Sequence, residues 1–237
     1  MTSSVIRFLG FVAALLGVSA AVVGGYGAAT TPFTDFPAFE STGDKLLAYY
    51  SYFTLWSNLL GAAAGVSYAL WFTRGRDGGW FGAVLRIDAT IMLMATGLVY
   101  HLLIADGSPH TGTQAFTAPI IHGIMPVLLP VIWLLHLSQR HRPDVRVNTV
   151  LGALFIPAVW TAWTFWRGQV TAGYYPYDFM NAAEIGLPRA ILTTAAIYAV
   201  FIVFMLILGV VERITLRRSK MRQSYITVDT AKSRPAK

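Results

Sequence analysis

The stretch LLAYYSYFTLWSNLLGAAAGVSYALWF, Leu46 to Phe72, contains no charged residue. It is longer than the ~20 residues a helix needs to cross a ~30 Å hydrocarbon core. Its apolar residues run continuously rather than alternating. A barrel strand alternates, so a helix, which satisfies its own backbone, is the reading that fits a bilayer.

Five further long apolar runs, interrupted only by Arg7, Arg86, Asp88 and Arg189, lie at roughly 5–28, 82–105, 117–138, 148–166 and 187–211. The chain is 55% hydrophobic and 12% charged, against about 25% charged in an ordinary soluble domain. The expected fold is therefore all-α: one domain over residues 1–214, a bundle of six transmembrane helices.

The cations set an orientation. Arg7, Arg74, Arg76, Arg86, Arg140, Arg142, Arg146 and the cluster from Arg213 to Lys237 fall on one side, and only Lys45, Arg167 and Arg189 on the other. By the positive-inside rule both termini are expected in the cytoplasm. The net charge of +7 then reflects this bias and requires no nucleic-acid partner. The polar, basic tail at 215–237 has no apolar period and is expected to be disordered beside anionic lipid. The absence of cysteine excludes disulfides, zinc thiolates and thiol nucleophiles.

Within the second span, Thr54, Asn58, Gly61 and Gly65 follow spacings of four, three and four, which places them on one helix face with Ser57 close by. Gly61 to Gly65 forms a small-xxx-small seam where another helix can approach closely. In the fourth span, His122, Pro126, Leu129, Trp133 and His136 share a face. Pro126 cannot donate to the carbonyl of His122, so a kink is expected there. Thr54 and His122 lie at similar depth, about 10 Å below the boundary at 1.5 Å per residue.

Tyr100 and His101, at the end of the third span, reach the same level. Asp88 lies toward the other end and is expected to pair with an arginine there. The longer connections, at about 29–45, 106–116 and 167–186, carry Phe33, Phe36, Phe39, Tyr174, Tyr175, Tyr177 and Phe179 among Pro32, Pro37, Pro109 and Pro176. These aromatics read either as an interfacial belt or as a lid over a cavity.

A hydroxyl and an imidazole together at that depth suggest chemistry on a lipid-soluble molecule. Plainer readings stay open. A helical Thr bonds the carbonyl four residues back, and an Asn bridges helices. No cofactor is expected. A haem on His122 would need His101 opposite, and His136 has no second partner in any span. Lipids or lipid esters are the expected partners, and a homo-oligomer stays open.

Six spans, Tyr-Phe-Thr-x-x-Ser-Asn at 52–58, Thr-Gly-Leu-Val-Tyr-His at 96–101, His-x-x-x-Pro at 122–126 and Tyr-Pro-Tyr at 175–177 resemble the bacterial branch of the FAR-17a / androgen-induced protein family. The resemblance covers roughly residues 5–211. It implies a cytoplasmic-membrane threonine hydrolase of fatty acid esters of hydroxy fatty acids, with Thr54 as nucleophile and His122 as its base. Asn58, Ser57, Tyr100, His101, Tyr175 and Tyr177 would then support the pair or bind substrate. The competing reading is a lipid- or sterol-binding transporter or sensor without catalysis.

Overall fold

The computed structural model describes residues 2–32, 39–70, 78–140, 142–171 and 173–232, with side chains described as far as Arg217. Phe33, Phe36, Pro37, Arg74, Arg76, Arg234, Lys237 and the side chains of the tail cations from Arg218 to Lys232 lie outside the described residues.

The described chain is helical throughout and holds no strand: α1 (Thr2–Thr30), α2 (Thr42–Tyr49), α3 (Phe53–Leu70), α4 (Gly79–Val99), α5 (Gly112–Pro119), α6 (Met125–Leu137), α7 (Val147–Ala153), α8 (Phe155–Val170), α9 (Ala182–Ile185) and α10 (Leu187–Lys232). A π turn, Tyr100–Ile104, extends α4, and another, Ile120–Ile124, joins α5 to α6. Among the described residues, five helical stretches are long and apolar enough to cross a membrane: Thr2–Thr30, Gly79–Ile104, Gly112–Leu137, Val147–Val170 and Leu187–Arg217. The protein is thus an α-helical integral membrane bundle.

Phe53–Leu70 is not among those five: it is 18 residues long and carries Thr54, Ser57, Asn58, Ser67 and Tyr68 among its apolar residues. The run expected as a single helix over 46–72 is broken at Tyr50–Tyr52. Tertiary bonds hold the break. Trp160 Nε1 donates to the Ser51 carbonyl at 2.8 Å and Trp56 Nε1 to the Tyr50 carbonyl at 2.9 Å. The Ser51 hydroxyl donates to Leu47 O at 2.6 Å and accepts from Arg167 Nη1 at 2.6 Å. At the other terminus the backbone of α10 stays helical to Lys232, past the boundary expected near 215. Its Arg, Lys, Met and Gln residues are good helix formers.

The small-residue seam meets α1 at Gly65, while its other end, Gly61, faces Leu93 of α4 and Met125 of α6. A Cβ on Gly65 would sit 2.6 Å from Gly10 O, and one on Gly17 would sit 2.9 Å from Asn58 O. The pairing Gly10–Gly65 and Gly17–Asn58 makes α1 and α3 antiparallel and nearly in backbone contact. α4 is central: 56% of its most apolar window is buried, against 28–44% in the other four membrane-length helices. One core joins α1, α3, α4 and α6 around Tyr68, Leu93, Met125 and Leu129. A second joins α4, α6, α7 and α10 around Ile87, Ile91, Trp133 and Leu208.

The basic end is fastened by charge. Arg86, fully buried, grips Asp144 through Nε at 2.7 Å and Nη2 at 2.6 Å, and Arg140 pairs with the same carboxylate. Glu212 of α10 accepts the backbone N–H groups of Asp144 and Val145 at 2.6 and 2.8 Å. Burial opposes ionisation of Asp144, but the bonds from Arg86 and the charges of both arginines outweigh it and hold its carboxyl below the usual range. Asp88 does not join this clasp, contrary to expectation. It is 1% exposed and neither carboxyl oxygen has a hydrogen-bond partner among the described residues, while Arg86 and Arg140 are turned to Asp144.

Candidate functional site

At the opposite end of the bundle, the break after α2 leaves Thr54 in the first turn of α3, where its backbone N–H has no carbonyl within the helix to bond. The Tyr177 hydroxyl fills that role. It accepts from Thr54 N at 3.3 Å and lies 3.3 Å from Thr54 Oγ1. Burial pushes the Tyr177 phenol up to about 12, against the opposing pull of the Thr54 bonds. It therefore stays a neutral donor at ordinary pH. Tyr52 packs edge-on against its ring at 5.4 Å and Phe179 stacks on it at 5.1 Å.

Thr54 is 6% exposed and lines a cavity of about 40 Å³ with Phe53, Trp160, Tyr177, Phe179, Tyr198 and Phe201. Apart from Thr54, Thr96, Thr161, Thr194 and the two tyrosine hydroxyls, its wall is apolar or aromatic. As it stands it has room for about three waters, so a larger guest must displace part of the aromatic wall. The last loop contributes Tyr177 and Phe179 to this wall, as a lid would.

His122 sits on a second site. It lines an open basin of about 280 Å³ with Tyr100, His101, Asp106, Ser108 and His110. Its ring is stacked on Tyr100, whose hydroxyl meets His110 Nε2 at 2.8 Å. His101 packs edge-on to Tyr100 at 5.1 Å. His122 Nδ1 has no hydrogen-bond partner. Asp106 is fully exposed, and its carboxyl is held below the usual range first by the Ser108 backbone N–H. Thr54 and His122 therefore share no hydrogen bond and line different cavities.

The backbones carrying these two residues are nonetheless tied together. The N–H of Met125 donates to Ile120 O, five residues back. In that π register the Ile121 carbonyl falls to residue 126, a proline with no N–H. Asn58 Nδ2 supplies the missing donor at 3.2 Å and also bonds Thr54 O at 2.8 Å. One fully buried amide thus links the carbonyl of Thr54 to that of Ile121, next to His122. Ser57 Oγ bonds Thr54 O at 2.9 Å and Thr96 Oγ1 at 2.8 Å, which ties α4 into the same level. The kink expected at Pro126 takes the form of this π turn.

Tyr175 stands apart from both cavities, edge-on to Phe165 at 6.1 Å. Trp160 and Arg167, neither of them among the expected site residues, both hold the α2–α3 break; the place of Arg167 among only three outer cations in a strongly basic chain was the available signal. No protein-family model, no curated protein and no solved structure matches this chain.

Proposed function

We propose that the chain is a six-span membrane protein with both termini cytoplasmic, and that it takes a lipid ester against Thr54. The carrying observation is the buried Thr54 hydroxyl at the wall of an aromatic cavity, 3.3 Å from the Tyr177 hydroxyl. α3 is read as the remaining span, since it runs antiparallel to α1 from the Gly10–Gly65 contact to the Gly17–Asn58 contact. The segregation of cations supports the orientation.

In the hydrolytic form of this proposal, Thr54 Oγ1 attacks the ester carbonyl while its proton passes to His122. The ester C–O bond breaks, and His122 returns the proton to the departing alkoxide. Water then cleaves the acyl-threonine, releasing the acid and restoring Thr54. The Tyr177 hydroxyl, 3.3 Å from Thr54 Oγ1, is the donor this reading assigns to the negative charge that develops on the carbonyl oxygen. The Asn58 link supports the pairing, because it sets the two residues at one level. The pairing also requires the His122 side chain to leave the basin.

That requirement favours a second reading, a cavity that binds a lipid or sterol without cleaving it. Long incubation of purified protein with lipid esters separates the two. Release of free acid that Thr54→Ala and His122→Ala each abolish supports hydrolysis. Recovery of intact ester from folded wild type supports binding alone.

A further inference from the structure

Arg167 is the one outer-side cation that the fold buries. It is 3% exposed and has no carboxylate partner among the described residues, whereas Arg86 and Arg140 both reach Asp144. The Asp44 carboxylate acts on it only at a distance, without an ion pair, and a buried guanidinium with no contacting anion is unusual, because charges taken out of water are normally paired. Its face lies over the rings of Tyr174 at 4.8 Å and Phe39 at 5.5 Å. Its Nη1 bonds Ser51 Oγ at 2.6 Å and Leu47 O at 3.3 Å. Nε is buried with no hydrogen-bond partner, and no bond joins Nη2 to a described residue. One edge of the guanidinium is therefore used by the protein. The other, the Nε–Nη2 edge, is vacant, and that edge has the geometry to take a carboxylate through two parallel bonds.

A second vacancy lies on the same helix face. Thr164 is 1% exposed and its hydroxyl has no partner. Trp160, Thr164 and Arg167 follow spacings of four and three along α8, so they form one stripe. Trp160 is part of the wall of the Thr54 cavity. The stripe thus leads from that cavity, past an unused hydroxyl, to an unused guanidinium edge about 10 Å further along the helix.

We propose that Arg167 is the recognition site for the carboxylate of an amphiphilic acid whose apolar chain enters the Thr54 cavity. The proposal rests on the reading that this cavity takes a lipid chain, and assigns the residues that would hold the free carboxylate which an ester of a hydroxy fatty acid carries. The Arg167 edge binds the carboxylate, Thr164 donates a hydroxyl beside it, and the chain runs along Trp160.

The test uses full-length protein in an uncharged detergent, with tryptophan emission as the readout. Trp160 and Trp163 both donate to Ser51, the residue Arg167 also holds. Oleate is compared with oleyl alcohol, which has the same chain without the charge. Wild type should bind oleate at least about tenfold more tightly, the effect of a charge-assisted pair. In Arg167→Gln that preference should collapse while alcohol binding persists. Arg167→Lys, which keeps charge but lacks the planar edge, should lose most of the preference and serves if the Gln variant does not fold. Acetate should leave emission unchanged. Equal binding of acid and alcohol by wild type, or parallel loss of both in the variant, overturns the assignment while the lipid-binding reading stands. A saturable response to acetate alone overturns the lipid half by assigning the edge to a free anion. Failure of both long-chain probes to bind overturns the cavity reading and this inference with it.

Discussion

The ring of Tyr100 lies flat on that of His122, with centroids 3.7 Å apart and planes 3° from parallel. This stack fixes the imidazole in the open basin, on the far side of the Tyr100–Ile104 turn from Thr54. Val99 and Ile104 face the Thr54 cavity, while Tyr100 and Ala105 face the basin.

If catalysis needs His122 to leave the basin, the stack opposes it. Tyr100→Leu should then raise the rate of Thr54 acylation by up to about fivefold, from the loss of roughly 1 kcal/mol of ring contact. Stopped-flow or gel-based acylation kinetics measure this. A rate as low as that of His122→Ala would show instead that Tyr100 helps the histidine act.

Asn58 does a structural job that its place beside Thr54 conceals. Asn58→Leu leaves the Ile121 carbonyl without a donor, since Pro126 has none to offer. We expect a loss of about 1 kcal/mol, visible as a lower melting temperature in detergent. An unchanged melt would mean that water or a neighbour replaces the amide.

The α1–α3 seam leaves no room for a methyl group. In Gly65→Ala the new Cβ would lie 2.6 Å from Gly10 O and 2.8 Å from Ala14 N. Two backbones must separate, at a cost of about 1–3 kcal/mol. Gly123→Ala is the control, since nothing lies within 4 Å of its added Cβ. Equal melting of the two variants would contradict the close approach.

Asp144 gives the fold a pH dependence of definite sign. Its carboxyl is held below its ordinary 3.8 in the folded protein. Its contribution is therefore complete above that value and is lost as pH falls through the depressed folded value. Melting temperature should be flat near neutrality and fall on acidification below about pH 4. Asp144→Asn should be destabilised by about 3–5 kcal/mol at neutral pH, because Arg86 and Arg140 lose their shared anion. An asparagine variant as stable as wild type at pH 7 would contradict the clasp.

The helical membrane class was legible because uncharged runs of more than 20 residues leave the backbone little alternative in lipid. The seam at Gly61 and Gly65 and the irregularity at Pro126 were legible for local reasons of size and a missing N–H. The break at Tyr50–Tyr52 was not, since Tyr-Ser-Tyr holds neither Gly nor Pro. It exists because Trp160 and Arg167, over 100 positions away, bond Ser51. Spacing placed Thr54 and His122 at one level, and Asn58 ties that level together. The direction of the imidazole depended on a ring contact with Tyr100 that no periodicity encodes. Likewise Tyr177 reached Thr54 through a loop whose path the sequence left open.

The most direct test of the central claim is labelling of detergent-purified protein with a long-chain alkyl fluorophosphonate, comparing wild type with Thr54→Ala. The account predicts labelling of wild type that the substitution removes while the melting temperature is kept. Folded wild type that stays unlabelled, or an alanine variant labelled to the same extent, would contradict Thr54 as the group that meets the ester.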